Sequence, residues 1–209
     1  MKAWLNLAEE VRRDLASLPR IDTPSVRSVR RRYSKVLASE SPRIVLRFVM
    51  SLLAGGGWAE RVVSWEVLAA HERAFGLLND RLVEEMAHGL ADWGSVDLFG
   101  VTVLGPAWRA GLVTDSKIVA WGRSQDRWRR RLALVATVPL NARARGGNWQ
   151  CPENIARLPR AARRFGRHGR QGNVVVSSRA CQARSEGRRS VSSEGGRSPF
   201  TPSQTRGAE

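Results

Sequence analysis

The stretch Trp58-Ala-Glu-Arg-Val-Val-Ser-Trp65 decides how this chain folds. Its apolar positions, Trp58, Val62, Trp65 and then Leu68, step by three and four, which puts them on one face of an α-helix. Tryptophan returns at 93 and 128, so Trp58, Trp93 and Trp128 stand 35 residues apart, and each opens a helical segment that follows another helical segment. A helix pair per period of this length is the pattern of an α-solenoid of the HEAT or tetratricopeptide kind, whose units bury their apolar faces only against one another.

The sequence on either side agrees. Trp4, Leu7, Val11, Leu15 and Leu18 make one apolar stripe. Thr23 before Pro24 and Ser41 before Pro42 read as N-caps with proline in the first turn. The first of these helices carries Val26, Val29, Tyr33 and Val36 on one face; the second carries Val45, Phe48, Val49 and Leu52 and ends at Gly55-Gly56-Gly57. A further helix lies around Leu82, Val83, Met86 and Leu90, and a shorter one runs from Trp93 to Val103, broken by Gly105-Pro106. Thr114 caps a helix through Ile118 and Trp121, and Ser124 opens the last, with Trp128, Leu132 and Val135 facing inward and Pro139 closing it. No segment from Lys2 to Pro139 alternates like a strand. The expectation is an all-α, HEAT-like α-solenoid of short helix pairs over residues 1–145.

The 209 residues carry 35 basic and 19 acidic side chains, a net charge of +16. That size suits one domain with a core, and that charge points to a polyanionic partner, nucleic acid or an anionic membrane surface. The charge divides into two equal parts: residues 1–145 hold 23 basic and 15 acidic groups, and residues 146–209 hold 12 and 4. The second segment has nine glycines, eight serines and no lysine, and no apolar spacing sustains a helix beyond 152–165, so it is expected to be a disordered basic tail. It reads either as a flexible arm that strengthens DNA affinity or as the out-of-frame continuation of a GC-rich gene. Arginine outnumbers lysine 32 to 3, which fits phosphate recognition and fits a GC-rich genome equally.

Several classes are disfavoured. Cys151 and Cys181 lack the spacing of a disulfide framework or a zinc site, and His71, His88 and His168 lie in unrelated contexts. Met1–Arg13 mixes both charges with apolar residues, unlike a signal peptide. The most apolar stretch, Ile44–Ala54, contains Arg47 and is too short to span a bilayer, so the expected location is cytoplasmic.

Comparing the three periods singles out one residue. Four positions beyond each tryptophan stand Val62, Asp97 and Leu132, so a carboxylate occupies the place of a core aliphatic. Asp97 is either a surface residue near a helix start or a site residue, since a buried carboxylate costs several kcal/mol unless it is paired or lines a wet cleft. Arg127, Arg129, Arg130 and Arg131 surround Trp128. They form either a solvated basic face or part of a groove, in which Arg131 would come beside Trp93 and Asp97 to take a phosphate while the other two meet sugar and base.

The segments Trp58-Ala-Glu-Arg-Val-Val-Ser-Trp65, Ala91-Asp-Trp-Gly-Ser-Val-Asp97 and Arg127-Trp-Arg-Arg-Arg-Leu-Ala-Leu134 resemble the DNA alkylation repair family, the AlkD-like helical-repeat DNA glycosylases. The resemblance spans residues 20–145 and centres on Trp-x-x-x-Asp followed one repeat later by Trp-x-x-Arg-x-Ala. It implies hydrolysis of the N-glycosidic bond of cationic N3- or N7-alkylated purines in duplex DNA, with Trp93 and Asp97 as the catalytic pair and Arg131 on the DNA backbone. Arg127 and Arg130 are the further DNA-binding candidates. It also implies no metal or other cofactor, no flipping of the base into a pocket, and a monomeric, nucleoid-associated protein that meets no membrane. The family continues with more helix pairs and another tryptophan, for which Gly146 onward offers no counterpart, and its N-terminal aromatic has only Tyr33 as a loose candidate. A non-catalytic helical-repeat module that binds DNA or a protein partner is the alternative. The out-of-frame reading of the tail predicts that translating the gene in its other two frames after codon 145 reveals an amphipathic helix pair with a tryptophan. Continued low-complexity sequence would instead mark the tail as native.

Overall fold

Side-chain caps mark where the helices begin. The computed structural model describes residues 3–142, and every element in them is helical. Helix α1 covers Ala3–Ala16. Helix α2, Thr23–Leu37, starts at Asp22, whose Oδ1 accepts the Ser25 N–H at 3.0 Å, and α3, Pro42–Leu53, starts at Ser41. Helix α4, Trp58–Ala70, begins after Gly57, which has no side chain to offer; Glu60 reaches back instead, and its Oε2 accepts the Gly57 N–H at 2.8 Å. Short α5, Glu72–Phe75, is capped by Nδ1 of His71, and α6, Asp80–Met86, by Asn79. Helix α7, Trp93–Phe99, runs through a π-helical segment, Gly100–Leu104, into α8, Gly105–Arg109. Then come α9, Asp115–Gly122, α10, Arg127–Val135, and α11, Val138–Asn141.

Five local expectations are corrected. Asp22 rather than Thr23 caps α2, and Asp126 rather than Ser124 caps α10, because in each case the carboxylate stands immediately before the first helical residue and accepts a free N–H of the first turn. On α2 the inward place goes to Leu37, four beyond Tyr33, and Val36 is half exposed. Gly105-Pro106 does not break the helix: the Gly105 N–H bonds the Gly100 carbonyl, and this wider turn delivers Pro106 to the start of α8, where no N–H is needed. Pro139 likewise sits in the first turn of α11 instead of ending the chain's helical path. The expected tail, 146–209, lies outside the described residues.

The successive helices α1/α2, α3/α4 and α9/α10 pack as pairs, as expected for the solenoid. Helices α2, α4, α7 and α10 form one row, called the inner row, in which each touches the next. In the other row α1 packs on α3, and α6 is tied to α9 by Asp80, which accepts from the Thr114 backbone and hydroxyl, and by Glu84, which accepts from the Trp121 indole. The 35-residue register is visible in space: Trp58 and Trp93 are the first residues of α4 and α7, and Trp128 is the second of α10. Val62 and Leu132 are buried, and Trp65 of α4 meets Phe99 of α7 with ring centroids 5.2 Å apart. Each large apolar side chain buried this way contributes about 1.5–3 kcal/mol.

Neighbouring helices of the inner row run parallel, as paired positions show: Asp97 meets Arg131, and Gly100 lies against Val135. The approach tightens toward α8. A Cβ at Gly105 would stand 2.5 Å from the Ala136 carbonyl oxygen, which is backbone and cannot swing away. Helical propensity alone favours alanine over glycine by about 1 kcal/mol. Here overpacking wins, and Gly105→Ala is expected to cost about 1–3 kcal/mol and lower the thermal midpoint by several degrees. Gly76→Ala, where the nearest neighbour of the added carbon lies at 3.5 Å, is the control and should leave the midpoint unchanged or raised in the same melting experiment.

Candidate functional site

Helix α7 lies between α4 and α10 and carries the two residues singled out by the sequence comparison. Trp93 opens it with 69% of its surface exposed, and Asp97 follows one turn later on the same face. Arg131 comes across from α10: its Nε donates to Oδ1 of Asp97 and its Nη2 to Oδ2, both at 2.6 Å. Each side chain is 31% exposed, so the pair is neither sealed in the core nor free in solvent. Two-point contact between a guanidinium and a carboxylate is short, strong and directional. It explains how a carboxylate persists where Val62 and Leu132 are buried aliphatics. The Asp97 hydrogen bonds raise the Arg131 pKa further above its ordinary value, against the opposing effect of burial.

The remaining arginines of α10 go elsewhere. Arg130 donates through Nη1 to the carbonyls of Ser124 and Gln125 and so holds the turn that leads into the helix. The guanidinium of Arg127 lies 4.5 Å over the ring of Trp128, at the exposed start of α10. Arg129 pairs with Glu84 at 2.6 Å and stacks 4.7 Å over Trp121. Lys117 reaches the same Glu84 at 2.6 Å, so this cluster ties α6, α9 and α10 together. Of the four, Arg131 is the one that reaches Asp97. Tyr33, the loose aromatic candidate, is buried; burial and its hydroxyl's hydrogen bond to Asp14 at 2.9 Å push its pKa up to about 12.

Sequence reasoning missed Arg61 of α4. Its Nη1 donates to the Ser95 hydroxyl at 3.1 Å and lies 3.5 Å from Oδ2 of Asp92, so α7 is held from α4 as well as from α10. The signal existed, since Arg61 stands three residues beyond Trp58 as Arg131 stands three beyond Trp128. Glu66 of α4 accepts from Arg27 and Arg30 of α2 at 2.8 and 3.0 Å, which adds a third crossing along the row. Among the described residues no group of three His, Cys, Asp or Glu side chains could hold a metal ion, and no helix is long and apolar enough to cross a membrane.

Asp92 both caps α7, accepting the Ser95 N–H at 2.8 Å, and faces Arg61. Burial acts on it most and opposes ionisation, but the Ser95 and Gly94 N–H groups, the Ser95 hydroxyl and Arg61 together outweigh it, and its pKa lies below the ordinary value. A carboxyl depressed on folding stabilises above its unfolded pKa of about 3.9 and loses that contribution as pH falls through the lower folded value. Half the side chain is exposed, so screening leaves little to the Arg61 attraction and most to the cap. Asp92→Ala is therefore expected to cost about 1 kcal/mol at neutral pH. In thermal melts from pH 7 to 2, the gap from the parent protein should stay full down to about pH 5 and close below about pH 4.

A carboxylate in a two-point grip, an open indole one turn away and an arginine whose Nη1 has no hydrogen-bond partner among the described residues can together meet a cationic, aromatic and phosphorylated partner. Comparison with curated proteins and with solved structures yields no match. The family model described as DNA alkylation repair enzyme matches residues 20–165, more than half of the chain, and takes in both Trp93-Gly-Ser-Val-Asp97 and Arg131. With the stacked helix pairs and this site in place, the chain belongs to the DNA alkylation repair enzyme family.

Proposed function

We propose that this protein excises cationic N3- or N7-alkylated purines from duplex DNA by hydrolysing the N-glycosidic bond, with Asp97 and Trp93 as catalytic residues and Arg131 on the DNA backbone. Family membership supports a role in DNA repair. The observation that carries the finer reading is the Asp97 carboxylate, gripped at two points by Arg131 beside the open indole of Trp93.

The chemistry follows from charge. An alkylated purine is already cationic, so it leaves as a neutral base without a general acid. Positive charge then develops on the deoxyribose, as in the oxocarbenium-like transition state of glycoside hydrolysis. A carboxylate fixed next to that sugar is worth more in the transition state than in the ground state, and it can orient the attacking water. The grip of Arg131 holds Asp97 in one direction, which spares reorganisation as the bond breaks. Trp93 offers its π face to the cationic base and sugar. The two-point contact leaves the Nη1 hydrogens of Arg131 for a phosphate oxygen, so one guanidinium can orient the carboxylate and set the register of the strand.

The test is release of 3-methyladenine or 7-methylguanine from methylated duplex DNA by the full chain. Asp97→Asn is expected to slow release at least about a hundredfold, the scale of losing one preorganised electrostatic group. Equal release by both proteins would remove Asp97 from the chemistry. Salt-dependent duplex binding with no release by the parent would mark a DNA-binding module instead. Replacing both partners, Asp97→Leu with Arg131→Leu, should abolish release yet keep or raise the thermal midpoint, because a partly buried ion pair seldom outperforms well-packed apolar residues.

A further inference from the structure

The inner row grips α7 from both sides with arginines that occupy the same place in their repeats. Arg61 is three residues beyond Trp58 in α4, Arg131 is three beyond Trp128 in α10, and the equivalent residue of α7 itself, Val96, is fully buried. Arg131 reaches Asp97. Arg61, whose side chain is only 18% exposed, reaches the first turn of α7 at Ser95 and Asp92, the two residues that flank Trp93 and Gly94. Those partners are already joined, because Asp92 accepts the Ser95 N–H. Arg61, Asp92 and Ser95 therefore close a triangle around the backbone that carries Trp93. With most of its surface open, Trp93 takes its direction from that backbone rather than from burial.

We propose that Arg61 is a positioning residue, which holds the first turn of α7 so that the Trp93 indole stands over the same volume as the Asp97 carboxylate. The proposal rests on the glycosylase reading above for its kinetic consequence, and on the Arg61–Ser95 and Arg61–Asp92 contacts for its structural one. Arg61 approaches substrate only through Trp93. A small misplacement of an aromatic platform suffices to slow a reaction whose parts must be held in one geometry.

The experiment uses the full chain in two readouts. The first is single-turnover release of 7-methylguanine from methylated duplex DNA by the parent, Arg61→Ala, Arg61→Lys, Trp93→Ala and the Arg61→Ala/Trp93→Ala double variant. Arg61→Ala should lower the maximal rate roughly ten- to a hundredfold while the enzyme concentration giving half that rate moves less than about threefold. The double variant should be no slower than Trp93→Ala, and Arg61→Lys, which keeps a donor for the Ser95 hydroxyl, should recover most of the rate. Additive losses in the double variant would overturn the proposal, because Arg61 would then act independently of Trp93. The second readout is 19F NMR of protein carrying 5-fluorotryptophan, in which Trp93→Phe identifies the Trp93 resonance. Arg61→Ala should shift that resonance, and Ser95→Ala, which removes the acceptor and keeps both charges, should shift it likewise should Arg61→Ala fail to fold. An unmoved Trp93 resonance overturns the proposal. A parent that releases no base defeats the glycosylase reading, and the resonance shift then still decides whether Arg61 positions Trp93.

Discussion

The close approach of the α7–α8 rod to α10 and α11 governs the inner row. Gly100 and Gly105 present bare backbone to Val135 and Ala136, at distances that leave no room for another carbon. Because Gly100 and Gly105 add no side chain to this contact, the two elements come close enough for Asp97 and Arg131, one turn and more toward the N-terminus, to meet at hydrogen-bond length at both ends of the guanidinium fork. The π-helical segment serves the same contact. By spending five residues where an ordinary turn spends fewer, it turns Gly105 to α10 and lets Pro106 start a new helix with no donor lost.

The repeat and its anomaly were legible from residues alone. Tryptophan at 58, 93 and 128 placed three helix starts correctly to within one residue, and the exchange of Val62 and Leu132 for Asp97 pointed to an inner position whose chemistry differs. The repeat register put Arg131 beside that carboxylate, but it did not say where the other three arginines would go. Four guanidinium groups within five residues all lie within reach of something: Arg129 goes to Glu84 and Trp121 on other helices, Arg130 to two carbonyls of the preceding turn, and Arg127 to the ring of adjacent Trp128. The displaced caps at Asp22 and Asp126 reflect competition among adjacent polar residues for the same free N–H groups, which local preference alone does not resolve. Gly105-Pro106 misleads for the same reason, since a strong local breaker is overruled by the packing of the whole rod.

Positive charge in the helical part does double duty. Arg27 and Arg30 are committed to Glu66, Arg61 to the start of α7, Arg129 to Glu84 and Arg131 to Asp97. These cations fasten helix to helix, so the count of 23 basic groups in residues 1–145 overstates the unpaired cations that a polyanion would meet, while the excess over the 15 acidic groups is unchanged by pairing. Arg131 is placed both to orient a carboxylate and to show remaining donors to solvent.

The three arginine–carboxylate crossings of the inner row, from α2 to α4, from α4 to α7 and from α7 to α10, also bear on how such an array can change over time. Arrays of near-identical units lengthen or shorten readily by duplicating or losing a unit, because every junction accepts every neighbour. Here each junction has its own donor and acceptor in its own place, so an extra pair inserted on either side of α7 would strand a charge in a half-buried seam. An added or lost pair beside α7 therefore carries a cost that an added pair at an end of the row does not.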